Sequence, residues 1–152
     1  MLQQVSLPDA SPPPVRAATA AWVTAVAAGV VETIGTVAVR ASSTTPDVSP
    51  AEIGMRAVIY TFVLLVIAQF WRGHGWARTA LALGLGVVGM LSLVADPVGW
   101  LIEGNSLADA LGSADLSLAL VIAIRTLHVV AVVVACALMF RPAANRYFRH
   151  TP

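Results

Sequence analysis

"LSLALVIAIRTLHVVAVVVACALMF", residues 116–140, decides the fold. Its only basic side chains are Arg125 and His128, and apart from Ser117 and Thr126 the rest is apolar. A helix of about 20 apolar residues crosses a bilayer. Only helices and closed barrels satisfy every backbone hydrogen bond in hydrocarbon. This segment is long enough for the first and lacks the alternation of the second. It is read as a membrane-spanning helix that carries a charge.

Three more segments of the same kind precede it: "AATAAWVTAVAAGVVETIGTVAV" (17–39), "GMRAVIYTFVLLVIAQFW" (54–71) and "WARTALALGLGVVGMLSLVA" (76–95). No stretch alternates polar and apolar over ten residues, as barrel strands do. The expected fold is all-α, a polytopic membrane protein with a four-transmembrane-helix bundle over 17–140. A Pro-rich, disordered tail is expected at 1–16 and a basic tail at 141–152.

Composition agrees with the bilayer as solvent. Of 152 residues, 58% are hydrophobic and 11% charged, against about 45–50% and 25% in soluble domains. A soluble domain of this length exposes roughly a third of its unfolded surface, and this chain lacks the polar residues to cover it. The formal net charge is +1, which argues against nucleic acid as a partner. Cys136 is the single cysteine, so an intramolecular disulfide and a cysteine-rich metal site are excluded. The opening "MLQQVSLPDASPPPVR" has no early positive charge and is not read as a signal peptide.

The connections carry the breaks. "RASSTTPDVSPAE" separates the first two spans, and "RGHG" makes a tight turn that sets the second and third antiparallel. The stretch "DPVGWLIEGNSLADALGSAD", 96–115, is expected to be the long connection. Within it, Ser106 and Asp109 have capping-box spacing for a short turn closed by Gly112. Its alternative readings are a segment lying along the membrane interface and a loose loop.

Arginine placement orients the bundle. Arg16, Arg72, Arg78, Arg141, Arg146 and Arg149 fall on one side, and only Arg40 and Arg56 on the other, beside six acidic residues. By the positive-inside rule both termini are expected in the cytoplasm of a bacterial plasma-membrane protein. Trp71, Trp76 and Trp100 sit at span ends, where tryptophan favours the interface, and Trp22 lies about a turn further in. Arg56 is expected to snorkel to its interface.

Glu32 and Arg125 are the full charges deep inside spans. Each costs about 2.5–3.5 kcal/mol at a helix centre when unpaired. With antiparallel first and fourth helices and 1.5 Å rise per residue, both lie about 12–14 Å from the same boundary. A buried ion pair between them is expected, facing the bundle interior. His128 projects from the same face as Arg125, placed to bond Glu32 or a backbone carbonyl when neutral. Ala17, Ala21, Ala25, Gly29 and Thr33 form a small-residue ridge on the first helix, and Ala80/Gly84 and Ala82/Gly86 repeat the spacing in the third.

Three readings of the Glu32–Arg125–His128 cluster stay open: a pin that sets helix register, a proton or cation path using Glu32 and His128, or pairing with another chain. No HExxH, P-loop or GxSxG pattern is present, and the chain is read as not an enzyme, with no cofactor and no metal. "GLGVVG" lies mid-span, where helix packing explains its glycines better than phosphate binding.

"GWAR" at the third span together with "RPAANRYFR" at the C-terminus resembles a group of small four-helix actinobacterial integral membrane proteins that are uncharacterised. The likeness implies the same fold and topology. "AAGVVETIGTVAVRAS", 27–42, is similar to the first helix of small multidrug resistance transporters. That likeness implies that Glu32 is a carboxylate exchanging protons for drug cations. The leading expectation is an accessory or scaffold subunit with the bilayer as its medium, and with self-association or a larger membrane subunit as partner. The alternative is a proton-coupled small-cation transporter.

Overall fold

Prolines mark where the first two helices begin. The computed structural model of the chain describes residues 11–42, 49–112 and 116–150. Helix α1 runs Pro13–Ala41 and α2 runs Pro50–Trp71, each with proline in its first turn. Proline there loses nothing, because the first amides of a helix have no intrahelical acceptor. For the same reason residues 13–16, expected in the tail, are helical. Residues 1–10 and the acidic linker residue Asp47 lie outside the described residues.

The α2–α3 turn is closed by a Schellman arrangement. Gly73 has φ +89°, a left-handed conformation that glycine adopts without a Cβ penalty. Its amide donates to the Phe70 carbonyl at 3.0 Å, and the His74 amide to Gln69 at 3.1 Å. The chain reverses and enters α3 (Gly75–Leu81).

From there helix continues to residue 102. α3 passes into a π-helical segment, Ala82–Gly89, and then into α4, Met90–Ile102. The expected long connection is thus largely helical: α4 crosses Pro97, which leaves the Leu93 carbonyl without its usual donor. Gly104, φ +87°, ends it. A short helix α5, Leu107–Gly112, follows, then α6, Leu116–Met139, and α7, Pro142–His150. Among the described residues, four helical stretches are long and apolar enough to cross a membrane: Pro13–Ala41, Pro50–Trp71, Gly75–Ile102 and Leu116–Met139.

The core occupies one end of the bundle. Val15, Ala18, Trp22 and Ala25 of α1 pack with Phe70 of α2, Leu81 of α3, Ala135 and Met139 of α6, and Ala144 of α7. No described residue between 30 and 65, or between 82 and 130, is buried. Trp22, about a turn inside the first span, is the largest fully buried side chain among the described residues. The small-residue ridge is buried at Ala25 and Gly29 but exposed at Ala17, where Ala18 and Trp22 turn inward instead. Phe62, Leu65, Leu83 and Leu91 face outward, as lipid-facing side chains do.

The C-terminal segment is a docked helix rather than a free basic tail. Arg78 donates to Asn145 Oδ1 at 2.6 Å, and its guanidinium lies 4.5 Å from the Phe140 ring centroid. The Tyr147 hydroxyl donates to the Trp71 carbonyl at 3.2 Å, and Phe148 packs on Phe70 with centroids 5.1 Å apart. The two motif strings of the sequence, "GWAR" and "RPAANRYFR", therefore meet at the packed end.

Candidate functional site: a polar cavity in the open half of the bundle

α1 packs chiefly on α6, and Gly29 marks where close packing ends. A Cβ on Gly29 would stand 3.3 Å from both His128 Cε1 and the Tyr60 hydroxyl. Only glycine lets the ring from α6 and the phenol from α2 approach this closely. Beyond it, towards Ala41, the helices are held by side-chain bonds instead of interdigitated apolar surface.

The first of these is ionic. Arg125 Nε donates to Glu32 Oε1 at 2.6 Å, joining α6 to α1. The side chains are 33% and 20% exposed, so the pair is half-buried where full burial was expected. The reason lies in the core: it stops short of this level, and the pair faces open space.

The second is a hydroxyl cluster that sequence reasoning missed. The Tyr60 hydroxyl donates to the Gly29 carbonyl at 2.8 Å and lies 2.8 Å from the Thr33 hydroxyl. Thr33 also reaches the Gly29 carbonyl at 2.9 Å. Two protons thus serve three oxygens. The available signal was a tyrosine mid-span in α2, since a phenol among lipid chains needs a partner.

The third lies at the helix ends. Glu52 accepts from Arg56 at 2.9 Å, one turn apart, and from Arg40 across the α1–α2 gap at 3.3 Å. Arg56, expected to reach towards its interface, is exposed near the start of α2 and turned to a carboxylate on its own helix.

His128 is placed beside this cluster without joining it. Its ring edge rests on Gly29, and among the described residues its buried Nδ1 has no hydrogen-bond partner. Neither the bond to Glu32 nor one to a backbone carbonyl is present. The indole Nε1 of Trp22 is likewise buried and unpartnered.

Between these ties lies a cavity of about 420 Å³. Its wall includes Glu32, Arg40, Arg56, Tyr60, Arg125 and His128, with Gly89 at the end of the π-helical segment and Ser92 on α4. A second space of about 530 Å³ lies between α1 and α6, lined by Val31, Val39, Leu120, Val121 and Ile124. Glu32, Thr36, Arg40 and Arg125 belong to both walls. Among the described residues, no group of three His, Cys, Asp or Glu side chains is arranged to hold a metal. No family model, no curated protein and no solved structure matches the chain. The site is therefore read from its own chemistry.

Proposed function

We propose that this is a non-catalytic integral membrane protein, an accessory or scaffold subunit, whose Glu32–Arg125 pair ties the first spanning helix to the last. The observation that carries the reading is the 2.6 Å contact between Arg125 and Glu32 on α6 and α1. It stands where apolar packing has given out, so it supplies register that packing no longer enforces. The arginine bias supports a multi-pass placement in a bacterial plasma membrane with both termini cytoplasmic. The motif resemblance to actinobacterial membrane proteins points the same way.

A double-mutant cycle tests the pair. Glu32→Gln and Arg125→Gln are each expected to lower stability in detergent, because each strands one charge. Made together they are expected to cost less than the sum, with a coupling of roughly 1–2 kcal/mol. Strictly additive losses would remove the clamp from the reading.

The cavity beside Glu32 favours a second reading, a proton-coupled transporter of small cations. In it Glu32 exchanges Arg125 for a proton or a cation. Three guanidiniums line the cavity against one carboxylate, which works against a cationic guest. Proton release on adding lipophilic cations, lost in Glu32→Gln, would establish transport. Absence of release across a panel of such cations would dismiss it.

A further inference from the structure

We infer that the open half of the bundle is a binding site for one anionic lipid, its phosphate in the polar cavity and an acyl chain in the groove between α1 and α6. The two spaces share Glu32, Thr36, Arg40 and Arg125, so a polar chamber and an apolar trough meet along one wall. That is the shape of an amphiphile.

Charge chooses its sign. Arg56 and Arg125 both line the polar chamber. A guanidinium has five N–H donors in a planar fork suited to phosphate oxygens. Arg125 gives its Nε to Glu32 and Arg56 an Nη to Glu52, which leaves the remaining nitrogens of each for a guest. The Tyr60 hydroxyl, already donating to Gly29, offers a lone pair but no spare proton. A quaternary ammonium would meet these guanidiniums at close range and be repelled.

The trough fits the other end of such a molecule. Val31, Val39, Leu120, Val121 and Ile124 present aliphatic surface over about two turns of α1 and one of α6. Gly35 lies among them, and a Cβ there would meet nothing within 4 Å. The volumes, about 420 and 530 Å³, hold a headgroup and part of one chain.

Native mass spectrometry of the full chain from detergent is the test. The probes are phosphatidylglycerol, phosphatidylcholine with the same chains, and inorganic phosphate. One retained lipid per chain is expected with phosphatidylglycerol, and about fivefold less with phosphatidylcholine. Arg56→Gln is expected to lower phosphatidylglycerol binding about fivefold, the effect of one arginine on an anionic headgroup. Gly35→Leu, which fills the trough in open space, is expected to lower it for both lipids, while Arg72→Gln at the packed end leaves it unchanged. Circular dichroism of each variant reports the fold. Equal retention of the two lipids, displacement by inorganic phosphate at equal concentration, or equal losses in Arg56→Gln and Arg72→Gln would overturn the assignment.

Discussion

Gly29 separates two ways of holding helices together. On the Trp22 side, side chains are small or well fitted and surfaces meet. On the Glu32 side, single polar contacts bridge gaps. At Gly29 itself His128 Cε1 and the Tyr60 hydroxyl both stand 3.3 Å from where a Cβ would be. Gly29→Ala is therefore expected to destabilise the bundle by about 1–3 kcal/mol, as overpacking does. Gly35→Ala, with open space around the new methyl, is expected to be neutral or stabilising, since alanine is the better helix former by up to about 1 kcal/mol. Unfolding of both variants by a denaturing detergent decides the matter, and equal effects would contradict the contrast. Much at this scale was legible in advance. Glu32 and Arg125 could be set at one depth because helical rise is constant. The bond that His128 fails to make could not be foreseen, because it depends on how far the helices have parted.

The third spanning helix departs furthest from its sequence expectation. The stretch 82–89 forms a π-helix, whose turns are wider than those of an α-helix. A Cβ on Gly89 would lie 3.4 Å from the Gly84 carbonyl, and one on Gly86 would lie 3.0 Å from Cys136 Sγ on α6. Of the small-residue pairs expected here, Gly86 makes the close approach, whereas Ala80 and Gly84 are exposed. Glycine spacing announces that backbones come near but does not tell an α-turn from a π-turn. α7 was hidden for a related reason: nine residues with two arginines, just after Arg141, resemble a headgroup-binding tail. Its docking shows only in Ala144, Tyr147 and Phe148, three and four residues apart. Asn145→Ala is expected to free it. Limited trypsinolysis should then cleave after the exposed Arg146 and Arg149 about ten- to a hundredfold faster, matching a charged hydrogen bond of roughly 1.5–3 kcal/mol. Unchanged cleavage would show that the aromatic contacts suffice.

For the molecule as a whole, four spans were readable from length and apolar content, because hydrocarbon imposes those on any crossing helix. The division into a packed and an open half was not, because the same apolar spans run through both halves. It emerges from side-chain size and from the charges near Glu52. Orientation rests on arginine placement and has a direct check. In a Cys136→Ala background, Ser106→Cys is expected to react with a membrane-impermeant maleimide on intact cells, and Thr151→Cys only after permeabilisation. The inverse pattern would turn the protein over.

The Arg78–Asn145 bond has a consequence in time. Its partners are 67 residues apart in the chain, and a ribosome adding 5–20 residues per second needs about 3–13 s to make that distance. Throughout that interval Arg78 is already synthesised while the group that receives it does not yet exist. A nascent chain of this protein is thus obliged to wait with a cation uncommitted, and its latch closes only once Asn145 has been added.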